Sequence, residues 1–383
     1  MNKKILFLTG TRADFGKLKS LMLAVDKHKD FDCFVFVTGM HMLSKYGNTA
    51  DEVLKAGFHN IHPFMNHTHG EPMDLILANT INGLSRYVQE NKPDMIIVHG
   101  DRVEALAGAI VGSLNNILVG HIEGGEVSGT IDELIRHATS KLSHVHFVSN
   151  KTAAKRLRQL GEHEQSIYVI GSPDIDVMLS RNLPSLKEVK KYYEIPFKKY
   201  AIAVFHPVTT ELKKFRVYVQ DFVAALIDCG DDYVVIYPNN DQGCEEIVLA
   251  YEKLKGNSRF RMIPSMRFEY FLTLLKKASY LIGNSSSGIC ESPVYAVPSV
   301  NVGNRQLNRF KHRLIVDVGY SRGEILFAIA RALELPTFHS CRHFGEGKSV
   351  LSFMETIKGD KVWKISKQKQ FCDIHETALR KDR

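Results

Sequence analysis

Short apolar runs rich in β-branched residues recur along the chain. Each ends in glycine or a polar residue and is followed by a segment whose apolar positions repeat at helical spacing. The first series is KKILFLTG, FDCFVFVTG, MIIVHGD, ILVGHIEGG, HVHFVSN and SIYVIGS. The second is YAIAVFHP, YVVIYPNND, FRMIPS, SYLIGNSSSG and SVNVGNRQ. This alternation predicts parallel strands joined by helices, in two similar α/β units. Turn residues interrupt the pattern at GSPDIDVMLSRNLPS, residues 171–185, which marks a seam. The expected division is residues 1–172 and 173–355, with a basic helical stretch over about 356–383 whose packing on either unit the local pattern leaves open.

Polar chemistry gathers at the carboxyl ends of the apolar runs, where open parallel sheets bind ligands. GTRADFGKLKSLMLAV reads as a strand-to-helix turn, with Leu18, Leu21, Met22 and Val25 on the apolar side of the helix. Five residues separate Gly10 from Gly16, and Leu18 stands where a phosphate-binding loop needs its hydroxyl, so a P-loop is excluded. The dinucleotide fingerprint is absent as well. Arg12 at the helix start is either an anion contact or a surface arginine. LIGNSSSGICESPV has the composition of a second anion cradle, in which Gly283 and Gly288 permit close approach and Ser285 and Ser286 begin a helix. Glu291, just inside that helix, either accepts bonds from a ribose or complements the helix dipole. His206 of FHPVTT and Arg305 of GNRQ stand at further strand ends.

HIEGGEVSGTIDELIRH, residues 121–137, places Glu123, Glu126, Asp132 and Glu133 close together. Thr130 to Glu133 has the form of a capping box, which accounts for Glu133; the helix dipole and Arg136 offer the same account of Asp132. Glu123 and Asp101 of VHGDR follow apolar runs directly and have no such local explanation. No set of ligands with compatible geometry stands out, so no metal is expected, and His59, His62, His67 and His69 read as a polar loop.

Composition changes this picture little. The chain has 383 residues, 44% of them hydrophobic and 24% charged, without a run long enough to span a bilayer. Its six cysteines show no CxxC spacing, which fits a reducing cytoplasm rather than a disulfide framework. The net charge of +8 is dispersed, so an anionic small molecule explains it as well as nucleic acid does. Neither a nucleic-acid partner nor a membrane is expected.

The motifs GTRADFGK, VTGMH, VHGDR, HIEGGEVSGTIDELIRHATSKLSH, FHPVTT, YPNND, GNSSSGICE and GNRQ together resemble the UDP-N-acetylglucosamine 2-epimerase family over about residues 3–310. Ala13-Asp14 after Arg12 resembles its hydrolysing branch, where the non-hydrolysing branch carries proline and glutamate. The resemblance implies the GT-B arrangement, two Rossmann-like domains facing across a cleft with the C-terminal helix, about 356–383, returning to the first domain, and a UDP-sugar substrate with no cofactor. It implies that Arg12, His206, Ser285 and Ser286 contact the diphosphate, that Glu291 binds the ribose and that Arg305 closes the nucleotide side. Asp101, Glu123, Asp132 and His41 would line the sugar, with Asn239 also facing substrate. His206 is counted with the catalytic set, and Ala13, Gly16 and Arg102 with the substrate contacts. The implied reaction releases N-acetylmannosamine and UDP for sialic-acid biosynthesis, in a homodimer or homotetramer. The alternatives are the same reaction on UDP-2,4-diacetamido-2,4,6-trideoxyglucose, a GT-B glycosyltransferase, or a nucleotide-sugar sensor.

Overall fold

The computed structural model describes residues 2–44, 49–68, 70–239, 241–336 and 339–373. The chain forms two compact units. One runs up to Glu126, resumes over Asp132–Leu179 and takes in the chain from His343 onward; the other comprises Val127–Ile131 and Ser180–Arg342.

The first unit is built on β1 (Lys3–Thr9), β2 (Phe31–Val37), β3 (Asn60–Pro63), β4 (Met95–His99), β5 (Leu118–Ile122), β6 (Val145–Val148) and β7 (Ile167–Val169). They form one parallel sheet in the order β3-β2-β1-β4-β5-β6-β7. Its helices are α1 (Arg12–Asp26), α2 (Ala50–Leu54), α3 (Met73–Asn91), α4 (Val103–Leu114), α5 (Ile131–Leu142), α6 (Lys151–Gln159) and α7 (Pro173–Met178). Alternate residues of β1 feed opposite faces of the sheet, as a strand requires. Ile5 and Phe7 pack with Leu18, Leu21 and Phe147, while Leu6 and Leu8 pack with Leu84, Val98 and Ala105. Burial on both faces is why the strands read as continuous apolar runs.

The second unit repeats the plan with β8 (Ala201–Val204), β9 (Tyr233–Ile236), β10 (Phe260–Ile263), β11 (Leu281–Gly283), β12 (Ser299–Val302) and β13 (Ile315–Val318), ordered β10-β9-β8-β11-β12-β13. It carries α8 (Leu186–Tyr192), α9 (Leu212–Cys229), α10 (Cys244–Tyr251), α11 (Phe268–Leu275) and α12 (Arg322–Glu334). Phe205, Phe215 and Phe222 stack in its core; the centroids of Phe205 and Phe222 are 4.5 Å apart. Both sheets therefore share the Rossmann order, and each reverses its winding between its first and fourth strands. The chain thus comprises two Rossmann-like α/β domains of GT-B type. At Gly283, the end of β11, φ is +133° and a Cβ would stand 1.9 Å from the Val204 carbonyl oxygen, so only glycine lets β11 close on β8 here.

The seam and the returning helix differ from expectation. Residues 173–179 stay with the first unit because Asp176 of α7 accepts the Ser349 and Val350 N–H groups at 2.9 and 2.8 Å. Those amides begin α13 (Ser349–Lys358), which α14 (Asp360–Trp363) follows. The chain therefore rejoins the first unit at His343, not near 356, and its last described helix ends at Trp363. Residues 374–383 lie outside the described residues. The returning segment is a core component, since Phe353 and Ile357 are fully buried and the Phe353 ring lies 4.9 Å from that of Phe147. Trp363 stacks on Phe31. Truncating Phe353 to alanine is expected to cost about 3–5 kcal/mol. Denaturant unfolding followed by tryptophan fluorescence reads it directly, because Trp363 is the chain's single tryptophan.

Candidate active site

Glu123 stands directly after the carboxyl end of β5. Glu123 leaves the strand with φ +63°, a left-handed backbone that costs a non-glycine residue about 1–3 kcal/mol and that tends to mark functional positions. Its carboxylate meets three elements. His99, the last residue of β4, places Nε2 3.4 Å from Glu123 Oε2, in ion-pair range but too poorly aligned to be a hydrogen bond. Lys17 of α1 brings its ammonium to 3.8 Å from Oε1. Ser172, which precedes α7, donates its hydroxyl to Oε1. Lys17 is also 3.2 Å from Asp174, a carboxylate with 1% of its side chain exposed. Burial alone would raise the Glu123 pKa, but Lys17, His99 and Ser172 together hold it well below the ordinary carboxylate value. Burial likewise pushes His99 down, and Glu123 overturns this to raise it. The desolvated pair thus favours the charged form of each group.

Asp101, two residues beyond β4, is paired with the buried Arg136 of α5. Arg136 also donates to the Glu126 carbonyl at 3.3 Å. Asp132 lies in the first turn of the same helix, which begins at Ile131, one residue after Thr130. His121 of β5 connects these positions. Its Nε2–H donates to the Gly100 carbonyl at 2.8 Å, so Nδ1 accepts from the Ser140 hydroxyl at 3.0 Å. Burial lowers its pKa to about 3, so the ring stays neutral. Strand end, Asp101 loop and α5 are therefore one hydrogen-bonded assembly.

The other acids of residues 121–137 are accounted for locally. Glu126 accepts from Ser149 and Asn150, and Glu133 lies 3.7 Å from His137, one helical turn on.

Several expected site residues have other occupations. His41 is fully buried; Thr9 gives its hydroxyl proton to Asp14 and so accepts from His41 Nε2 at 3.0 Å, while Nδ1 accepts from Thr49 at 2.7 Å. Both ring nitrogens are engaged, so His41 ties the end of β1 to the start of α2. Arg12 donates to Glu52 of α2 at 2.8 Å. Arg102 donates to Glu104 at 3.3 Å. Ala13 and Gly16 lie in the first two turns of α1, whose capping box is Thr11 with Asp14. Asp14 also takes the Gly10 N–H at 3.0 Å, fixing the turn before the helix. His62 stacks on Tyr87, His67 bonds Asn66, and His69 lies outside the described residues. No cluster of three metal-ligating side chains occurs among the described residues.

In the second unit the strand ends of β8, β9, β11 and β12 supply one polar group. Asn284 grips the His206 backbone in both directions, accepting from its N–H at 2.7 Å and donating to its carbonyl at 2.9 Å. The Asn239 N–H donates to His206 Nδ1 at 3.1 Å, which puts the proton of the neutral ring on Nε2. Arg305 and Gln306 both donate to the Asn284 carbonyl, at 3.3 and 3.2 Å. The expected helix after β11 is instead two 3₁₀ turns, Ser286–Gly288 and Ser292–Tyr295, with Ser285 capping the first and Glu291 preceding the second. Pro293 is the reason: it lacks the N–H that a continuing helix needs and restricts the residue before it. Glu291 is therefore buried between the two 3₁₀ turns, as the N-cap of the second, rather than inside an α-helix.

Sequence reasoning missed Lys17, His99, Ser172 and Asp174. Ser-Pro-Asp, residues 172–174, was the available signal, since a capping serine, a proline at the first helical position and an acid in the first turn announce a helix inside the supposed linker. Lys17 and His99 had no local signal, because their partner Glu123 is distant in sequence.

A family model described as UDP-N-acetylglucosamine 2-epimerase matches residues 23–358. The chain belongs to the UDP-N-acetylglucosamine 2-epimerase family. A member from Neisseria meningitidis serogroup B, a UDP-N-acetylglucosamine 2-epimerase, is 48% identical over 97% of this chain and all of its own length. The UDP-N,N'-diacetylbacillosamine 2-epimerase (hydrolyzing) of Legionella pneumophila is 33% identical, covering 91% of this chain and 94% of its own. Among solved structures, a UDP-GlcNAc 2-epimerase from Methanocaldococcus jannaschii in complex with UDP-GlcNAc and UDP superposes with a TM-score of 0.80 at 20% identity, over 93% of this chain and 99% of its own. That likeness supports the fold. As a member of this epimerase family, the chain is an enzyme, and its site has a reaction class to be measured against.

The two members of the ion pair respond to pH in opposite senses. Glu123, with its pKa lowered from 4.5, contributes stability that stands above that value and is lost as pH falls through the folded value. His99, raised from 6.5, contributes stability that stands below 6.5 and is lost as pH rises through its folded value. In a Glu123→Gln variant the main counterweight to the burial of His99 is gone, leaving only Asp14 to oppose it. Its imidazole, followed by NMR titration, should then move from above 6.5 to below it; an unmoved pKa would show that the two groups do not interact.

Proposed function

We propose that the chain is a hydrolysing 2-epimerase that converts UDP-N-acetylglucosamine to N-acetylmannosamine and UDP. The observation that carries this reading is the buried Glu123–His99 pair at the carboxyl ends of β5 and β4, with Asp101 held by Arg136 of α5, the helix whose first turn carries Asp132. Epimerisation at a sugar carbon next to an acetamido group needs a proton removed from one face and another returned to the opposite face. Two separately held proton-handling groups meet that demand. A carboxylate held as far down as Glu123 is a poor base, while the imidazolium beside it is a ready donor. The pair therefore suits the return of the proton to carbon 2, and removal of the first proton falls to the Asp101 and Asp132 carboxylates.

Loss of that first proton expels UDP from carbon 1 and leaves a 2-acetamidoglucal. The departing diphosphate gathers charge, which preorganised donors stabilise. The second unit offers His206 Nε2–H, the Ser285 and Ser286 hydroxyls and Arg305 for this role, with Glu291 assigned to the ribose and Asn239 fixing the His206 tautomer. Water then adds at carbon 1 and the free sugar leaves. Ala13-Asp14 in the first motif and the hydrolysing relative at 33% identity support the hydrolytic branch. The 48% identity to an enzyme named for N-acetylglucosamine favours that sugar over the 2,4-diacetamido one.

Incubation with UDP-N-acetylglucosamine in D₂O, followed by proton NMR, should show free N-acetylmannosamine carrying deuterium at carbon 2. Retention of the sugar on UDP would overturn the hydrolytic branch, and turnover of the diacetamido sugar alone would overturn the substrate. Asp101→Asn and Glu123→Gln should each lower kcat by at least about 100-fold, the usual share of a general acid or base, while UDP affinity is kept. Replacing Ser285 and Ser286 together by alanine should weaken UDP binding by calorimetry about tenfold, the loss of one hydrogen bond to a charged group.

A further inference from the structure

The helix that carries Asp132 at one end is held at the other end by the last described stretch of the chain. After α14 the chain runs without regular structure over residues 364–373 and lies along the carboxyl end of α5. The last turn of a helix leaves carbonyl groups without intrahelical partners, and a cation there satisfies them and complements the dipole. Lys369 takes that position. Its ammonium donates to the carbonyls of Ser140 at 3.1 Å, Lys141 at 2.8 Å and Ser143 at 2.6 Å, and pairs with the buried Glu162.

Glu162 in turn is 2.9 Å from His146 of β6 and 3.1 Å from Lys141, so helix, strand and strap meet on one carboxylate. Further contacts seat the strap on both sides of Lys369. The Lys367 carbonyl accepts from His144 at 3.1 Å, the Cys372 N–H donates to the Gly161 carbonyl at 2.9 Å, and the Lys141 ammonium sits over the Phe371 ring. Phe371 lies flat against Gly161, where a Cβ would be 2.3 Å from the ring.

Between the two ends α5 carries Arg136, which holds Asp101, and Ser140, which fixes His121 against the Gly100 carbonyl. A helix is stiff along its axis, so the register of its last turn sets the register of its first. We propose that Lys369 is a positioning residue for the reaction: by capping α5 it sets where Asp132 and the Arg136–Asp101 pair stand, without touching substrate. This rests on the epimerase reading for its kinetic consequence, whereas the capping role itself stands on geometry alone.

The test uses the full chain with Lys369→Met and Lys369→Arg. The methionine variant should lose about tenfold in kcat with KM for UDP-N-acetylglucosamine little changed. Its amides over residues 139–143 should exchange with deuterium at least about tenfold faster, the tenfold corresponding to about 1.4 kcal/mol. The arginine variant, which keeps a charged donor, should recover most of both. Phe371→Ala loosens the strap without unpairing Glu162 and should move both readouts in the same direction by less; it decides the matter if the methionine variant fails to fold.

Wild-type exchange over residues 139–143 in Lys369→Met, or in Phe371→Ala where the methionine variant does not fold, overturns the cap. Faster exchange with unchanged kcat overturns the positioning role. A wild-type chain that turns over no UDP-sugar sinks the epimerase reading and with it the kinetic part of the proposal, while the exchange measurement still reads the cap.

Discussion

Glu123 takes its charge out of water at the point where a strand ends, and the surroundings must compensate for that. A desolvated carboxylate persists only with cations and donors at close range. Three elements of the first unit provide them: α1 through Lys17, β4 through His99, and the turn before α7 through Ser172. Each is rigid, so the carboxylate is aimed as well as charged. The left-handed backbone at Glu123 is a cost that the site tolerates because this network over-determines the position.

The repeated sheet order gives the two units the same scaffold and different chemistry. In each, the first and fourth strands end beside one another where the winding reverses, which exposes loops from two strands at once. In the first unit the ends of β4 and β5, with α1 beside them, bring acids, an imidazole and a lysine. In the second the ends of β8, β9, β11 and β12 bring backbone amides, serines, an imidazole with a fixed tautomer and an arginine. The same plan thus presents different chemical groups in its two copies.

The architecture was legible because burial on both faces makes parallel strands read as unbroken apolar runs. The positions of Asp101 and Glu123 at the ends of β4 and β5 could be read for the same reason, since both acids stand directly after such runs. What escaped was non-local. His41 carries the marks of a site residue in sequence, yet Thr9 and Thr49 close over its two nitrogens from positions 32 and 8 residues away. Lys17 and His99 show their purpose only when β5 brings Glu123 between them. Glu291 was placed on a helix by composition, and a single proline two residues on prevented that helix. The returning helix was anticipated, but its start was misjudged because the signal that fixes it, Asp176 accepting from Ser349 and Val350, spans 173 residues.

The return of the chain at His343 also dictates an order of assembly. The second unit is nearly continuous in sequence and holds all its strands between residues 201 and 318, so it can condense as soon as that stretch leaves the ribosome. The first unit, although synthesised earlier, waits with an open core until Phe353 and Ile357 arrive to complete it. Contacts of such sequence separation form slowly, so the half bearing the acids is the last to mature, and a nascent chain halted before α13 would display unfilled apolar surface rather than a finished domain.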